Sequence, residues 1–358
     1  MNPTRIILAA LLGLAVAGCS NGNNNNNSSQ PSPVLDLSLS DPPIALPDTS
    51  ASFAADVPYD EGDLQRFDIY MPDCDEPTPL VIYIHGGGFT GGDKGRTHEE
   101  HADEIREFLQ SCVAWATINY TLLVIPDADG DLVAAAAQGG VRTSLNDTAR
   151  ALQFMRYYFA SLNLDVDKVA LYGGSAGAGS SLWLGTHDDM ADPESDDPVL
   201  RESTRVSAVG ALATQATYDI LDWENILLPI TEPFAAALGG TDIPSVAAGV
   251  GASNYLLTFL GISSLDQLND PAQLQYRAEV DMLELMDAGD APIYVHNYVV
   301  SLDDLLNVFL HHGLHALAVK ARADEVGLHS VAYSEDPDYY LQDPSGEDLV
   351  SFLTRHLR

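Results

Sequence analysis

The chain has 358 residues, 46% of them hydrophobic and 8% aromatic, which is enough apolar material for one large core and fits a single α/β domain. Its 16 basic residues stand against 52 acidic ones, a formal net charge of −36, and this excludes nucleic acid as a partner and a polyanion as substrate. Acidity on this scale reads as a solubility feature, suited to surroundings where salt screens the self-repulsion.

Arg5 precedes an apolar run that reaches Gly18, the pattern of a signal peptide over residues 1–18 and too short to span a bilayer. Val16-Ala-Gly-Cys19 resembles the bacterial lipoprotein box. That resemblance implies export, a lipid on Cys19, a membrane partner reached through it, and an outer-membrane location, because Ser20 is not the aspartate of inner-membrane retention. Residues 19–50, rich in asparagine, serine and proline, read as a disordered tether, and the folded domain is expected over 51–358. An exported chain meets an oxidising compartment, so Cys74 and Cys112 are expected to pair, two buried free thiols being the alternative.

Within the domain, residues 64–70 alternate at period two and 80–84 are continuously apolar; both predict strands, joined by a proline-bounded turn. A helix over 98–110 and a strand over 113–120 follow. Residues 144–162 predict an amphipathic helix with Leu145, Ala149, Leu152, Met155 and Phe159 on one side. A strand over 169–172 leads into Gly173-Gly-Ser-Ala-Gly177 and a helix of small residues. The acidic stretch 187–197 lacks the glycine and terminal glutamate of an EF-hand loop and reads as a solvated loop. Strands over 206–214, 292–297 and 329–333 and helices over 311–326 and 346–357 complete the order. A mostly helical insertion over about 220–290 stands where a lid would cover a pocket, with glycine joints at Gly239-Gly240 and Gly249-Val-Gly251. The alternation predicts an α/β fold, a mostly parallel sheet with helices on both faces. No metal-binding spacing occurs, and neither a metal nor a cofactor is expected.

Two motifs carry chemistry. Gly173-Gly-Ser-Ala-Gly177 matches the nucleophile elbow, G-x-S-x-G, in which a sharp strand-to-helix turn lifts a serine hydroxyl out at the top of a sheet. His85-Gly-Gly-Gly88, directly after the 80–84 strand, matches the loop whose backbone N–H groups receive the negative charge that develops on an ester carbonyl.

With these motifs and this strand order, residues 55–358 resemble the α/β-hydrolase superfamily, nearest the carboxylesterases and hormone-sensitive-lipase-like esterases of bacteria. Tyr70-Met-Pro72, the run from His85 to Lys94 and Ile118-Asn-Tyr120 share in the likeness. The resemblance implies Ser175 as nucleophile and the N–H groups of Gly87, Gly88 and Ala176 as the oxyanion hole. It also implies cofactor-free hydrolysis of a small-molecule carboxylic ester through an acyl-enzyme. A histidine must take the serine proton and an acid must orient it. Family order places the acid after the 292–297 strand and the histidine after the last strand, yet the residues following Tyr333 hold no histidine. Leu310-His-His-Gly-Leu-His315 instead lies beyond a strand's carboxyl end, on the active edge of such a sheet. His312, beside Gly313, is favoured over His311 as the base, with Asp304 ahead of Asp303 as its acid and Asp219 third. The competing reading is a hydrolase-fold protein that has lost catalysis and binds a ligand.

Overall fold

The computed structural model describes residues 33–298 and 304–358. The signal peptide, Cys19 and Asp303 lie outside them.

The strands are β1 (Leu39–Ser40), β2 (Ala51–Pro58), β3 (Arg66–Pro72), β4 (Thr78–Ile84), β5 (Ala114–Ile118), β6 (Leu164–Gly174), β7 (Ala208–Leu212), β8 (Ile293–Asn297) and β9 (Ser330–Ser334). They form one sheet in the order β1-β2-β3-β5-β4-β6-β7-β8-β9. β1, β2 and β3 run antiparallel to their neighbours; from β5 to β9 every pairing is parallel. Parallel strands demand crossovers, which put helices on both faces and bury the strands on both sides. Hence β4 and β6 read as apolar runs: Leu80, Val81, Ile82 and Ile84 are buried, as are Val169, Ala170 and Leu171.

One face is covered by α1 (Lys94–Glu100), α2 (Ala102–Gln110) and, at the far end of the chain, α14 (Leu349–His356); Phe108 and Phe352 pack there against Tyr172 and Trp115. The other, larger core takes α3 (Leu132–Ala136), α4 (Val141–Tyr157), α5 (Ala176–Thr186) and α13 (Gly313–Val326). Leu145, Ala149, Leu152 and Met155 of α4 are buried as their spacing predicts, whereas Phe159 lies past the helix end and is 38% exposed.

Between β7 and β8 the insertion is helical: α6 (Trp223–Thr231), α7 (Ala235–Leu238), α8 (Ile243–Gly249), α9 (Ser253–Phe259), α10 (Pro271–Glu279) and α11 (Met282–Leu285). It is fastened to the body by side chains: Trp183 Nε1–H donates to Glu279 O at 2.8 Å, and Arg277 grips Asp219 with both Nε and Nη2. The helix expected over 311–326 is α13 (Gly313–Val326), and a separate helix, α12 (Leu305–His311), precedes it, parted from it at His312. Cys74, after β3, and Cys112, after α2, are joined with their Cα atoms 6.2 Å apart.

The N-terminal expectations need correction. Residues 33–50 are not a free tether: β1 pairs with β2, the Leu35 N–H donates to Ser161 Oγ at 2.9 Å, Leu35 and Leu37 pack on one core, and Ile44 and Leu46 on the other. The polar average of the stretch hides these few apolar residues, which find partners only in the folded unit. The membrane partner reached through Cys19, and the outer-membrane lipoprotein location, do not stand either. Among the described residues no helix is long and apolar enough to cross a membrane, and residues 33–50, the described part of the stretch meant to hold the domain clear of one, are bound to the domain itself.

Candidate active site

Ser175 is the turn residue between β6 and α5, at φ 53° and ψ −118°. A side chain held in so sparsely populated a conformation costs on the order of 1–3 kcal/mol and must be over-determined by its surroundings. Those surroundings are present. β6 is paired on both sides, with Gly173 opposite Ile84 and Ala211. The Ser175 N–H donates to Leu212 O at 2.9 Å, and Tyr218 Oη–H donates to Ala176 O at 2.7 Å. A Cβ on Gly173 or Gly177 would collide with the Ile84 carbonyl, which is why the elbow needs glycine there.

The same register brings the end of β4, and the loop after it, against the elbow. Gly87 sits at φ 119°, and its carbonyl accepts from the N–H groups of Thr90 and Gly91, both at 3.1 Å. In a trans peptide the N–H points opposite to the C=O, so this hold turns the Gly88 N–H away from residues 90 and 91. From the lid, Tyr255 Oη–H donates to Gly88 O at 2.8 Å. His85 is a support: buried and stacked on Tyr120, it donates from Nδ1 to Gly86 O at 2.7 Å, and burial pushes its pKa down. Behind the loop, Lys94 Nζ lies 2.6 Å from Asp56 and 2.7 Å from Asp68, and Asp68 also faces His98 Nε2 at 2.8 Å. This satisfied ionic cluster fixes the loop's exit.

The structure brings His311, not the favoured His312, to the serine. His311 Nε2 is 2.7 Å from Ser175 Oγ, and its Nδ1 is 2.7 Å from Asn307 Oδ1. α12 ends at His311, and His312, at φ −55° and ψ 147°, leaves the helical path, so the two adjacent side chains do not share a direction. His312, only 3% exposed, turns the other way: its Nδ1 accepts the Leu314 N–H at 3.2 Å and its Nε2 faces Asp336 Oδ2 at 3.3 Å. Asp336 stands in the loop after β9, where the family pattern has its histidine, and supplies a carboxylate to His312 instead. Asp304 is corrected too, because it caps α12 by accepting the Asn307 N–H at 3.1 Å. Asp219 is committed to Arg277.

What aims His311 is a set of side chains the sequence reading passed over. A helix end leaves its last carbonyls unpaired, and those of α12 are taken one after another. His315 Nε2–H donates to Phe309 O at 2.9 Å, Gln215 Nε2–H to Leu310 O at 2.7 Å, and Asn297 Nδ2–H to His311 O and His312 O at 3.1 and 3.2 Å. Asn297 ends β8 and Gln215 follows β7, so the sheet itself clamps the helix. His315 also accepts the Ala216 N–H, so it works as a neutral ring, and burial pushes its pKa down to about 4. Burial lowers the pKa of His311 as well, against the opposing pull of Asn307 and of the Asp304 charge.

Ser175 and His311 open onto a cavity of about 310 Å³ lined also by Gly87, Gly88, Ala176, Trp223, Tyr255 and Leu310. An apolar slot continues from it between α8 and α12, past Ile243, Val246, Leu306 and Phe309. A larger hollow of about 450 Å³, beside Tyr294, Tyr333 and Tyr340, contains neither Ser175 nor His311 and is set aside for the chemistry. Among the described residues no group of three histidine, cysteine, aspartate or glutamate side chains is placed to hold a metal.

Fold and site together define the class: a serine hydrolase of the α/β-hydrolase fold. Comparison with known proteins agrees. The model of the family described as BD-FAE matches residues 67–241, from β3 through the elbow into the lid. A secreted lipase of Arthroderma benhamiae is 30% identical over 119 residues, 32% of this chain; the match covers only 23% of that relative's length. A truncated form of a carbohydrate esterase from gut microbiota superposes with a TM-score of 0.59 at 14% identity, covering 87% of this chain and 98% of that one. A bifunctional GH43-CE of Bacteroides eggerthii gives 0.55 at 17% identity, over 85% of this chain and 38% of that one. At such identities the structural likeness carries the fold alone.

Proposed function

We propose that the chain is a carboxylesterase-type enzyme that hydrolyses small, uncharged carboxylic esters through an acyl group carried on Ser175. The observation that carries this is the 2.7 Å contact between Ser175 Oγ and His311 Nε2. With its proton on Nδ1, donated to Asn307, His311 presents the Nε2 lone pair to the serine hydroxyl. As Oγ attacks the ester carbonyl carbon, the proton passes to Nε2, and the N–H groups of Gly87, Gly88 and Ala176 receive the charge on the carbonyl oxygen. Each such donor is worth about 3 kcal/mol to the transition state. The histidine then protonates the leaving alcohol, and water repeats the sequence on the acyl-enzyme with the same groups in the same roles.

The cavity supports an uncharged substrate, since among the described residues His311 is its one titratable lining group besides the Tyr255 phenol. Lipase and carbohydrate esterase, as two relatives are described, both name ester hydrolysis. His85-Gly-Gly-Gly88 favours the carboxylesterase and hormone-sensitive-lipase-like type within the superfamily.

A fluorophosphonate probe and nitrophenyl esters test the reading. The folded protein is expected to be labelled at Ser175 and to turn over the esters, and Ser175→Ala to lose both while keeping its thermal stability. Folded wild-type protein that neither reacts nor hydrolyses would instead be a ligand-binding protein on a hydrolase fold.

A further inference from the structure

We propose that Asn307 is the positioning residue for His311, doing with a neutral carboxamide what serine hydrolases ordinarily do with a carboxylate. This rests on the reading of His311 as the base. The two residues are four apart on α12, so their side chains are neighbours on one helical face and their contact is set by the helix itself. Asn307 Oδ1 lies 2.7 Å from His311 Nδ1, the distance of a well-formed hydrogen bond. The helix is fixed at both ends: Asp304 accepts the Asn307 N–H at the start, and Asn297 holds the His311 carbonyl at the finish. Among the described residues, the carboxylates that sequence or geometry would offer in its place are engaged elsewhere, Asp219 with Arg277, Asp336 with His312, and Asp304 as the cap; Asp303 lies outside the described residues and is tested by its own variant.

A carboxamide and a carboxylate share the orienting function and differ in charge. Either oxygen accepts Nδ1–H, fixes the tautomer and leaves Nε2 free for the serine proton. Only a carboxylate also stabilises the imidazolium that forms during reaction, and only a carboxylate raises the resting pKa of the ring strongly. Among the described residues, the groups around His311 able to titrate or carry charge are Asp304 at the start of its own helix and His312 and His315 at the next, with Asp336 facing His312. The arrangement therefore keeps the base neutral into mildly acidic solution and forgoes part of the transition-state stabilisation.

Three variants of the full chain decide the matter, read as kcat, KM and the pH dependence of kcat/KM. Asn307→Leu is expected to lower kcat about a hundredfold or more with KM little changed, because orientation of the base is lost while the pocket remains. Asn307→Asp is expected to keep substantial turnover and move the acid limb of the profile upward by about one pH unit or more. Asp303→Ala is expected to leave turnover near wild type. The proposal is overturned by wild-type kcat in folded Asn307→Leu, by an unmoved acid limb in Asn307→Asp, or by a loss in Asp303→Ala comparable with that of His311→Ala. Should the leucine variant fail to fold, the aspartate profile decides alone. Continued labelling and hydrolysis by the wild-type protein keeps a failure of this proposal separate from a failure of the esterase reading.

Discussion

Two adjacent histidines with opposite duties give the clearest expectation at the scale of single residues. His311→Ala removes the group at Ser175 and is expected to cost about a thousandfold or more in turnover without unfolding the chain. His312→Ala is expected to do the reverse. It leaves the Asp336 carboxylate and the Leu314 N–H without their partner, at about 1–3 kcal/mol in stability, and turnover changes little. Equal losses of turnover in the two variants would refute this division. The wild-type pH profile carries the same logic. The base must be neutral to act, and burial holds His311 below the ordinary histidine range, so kcat/KM is expected to fall on acidification with a midpoint below 6.5. The serine was legible in the sequence because an elbow is a local object, its glycines demanded by the chain's own close approach to Ile84. The histidine was legible only to within one residue. Which of two neighbouring rings faces the serine depends on where α12 ends, and that end is held by Asn297, Gln215 and His315, residues distant from Ser175 in sequence whose side chains carry no motif.

At the scale of elements, the lid decides what enters. α6, α8 and α9 wall the cavity and its apolar slot through Trp223, Val246 and Tyr255. An acyl chain that reaches the slot leaves water for an apolar wall, worth about 0.8 kcal/mol per methylene, or roughly fourfold in kcat/KM for each carbon added. Val246→Trp, which fills the slot from α8, is expected to flatten that rise for longer acyl nitrophenyl esters and to leave the acetyl ester unaffected. A uniform drop across all chain lengths would mean that the substitution had disturbed the catalytic groups rather than the slot. The insertion was visible in the sequence as a helical stretch in the right place. The break between α12 and α13 was not. His312 leaves the helix at φ −55° and ψ 147°, yet Gly313 beside it begins a new one rather than ending the old, so the glycine pointed to the joint without revealing its form. The strands around the elbow read correctly because burial on both faces writes them as unbroken apolar runs. β1 escaped because two residues paired at a sheet edge leave no pattern to read.

For the whole molecule the governing quantity is the net charge of −36. Most cations among the described residues already face a carboxylate, among them Lys94 with Asp56 and Asp68, Arg150 with Asp60 and Asp197, Arg277 with Asp219, and Arg355 with Glu347. Most of the acidic residues therefore face solvent and one another without a partner of opposite sign, and their repulsion is stronger in the compact state than in an expanded chain. Salt acts on the two sets of charges differently. Exposed ion pairs contribute only about 0–1 kcal/mol each, so screening them costs little, and the buried Lys94–Asp68 pair is shielded from screening. The unpaired excess interacts over longer distances, and those interactions weaken as the Debye length falls from about 30 Å at 10 mM salt to about 8 Å at 150 mM. Stability is thus expected to rise with sodium chloride over this range and level off beyond it, as measured by the urea midpoint at neutral pH. A midpoint that falls steadily as salt is added would show that attraction within the ion pairs, rather than repulsion among the unpaired carboxylates, dominates the electrostatics of the fold.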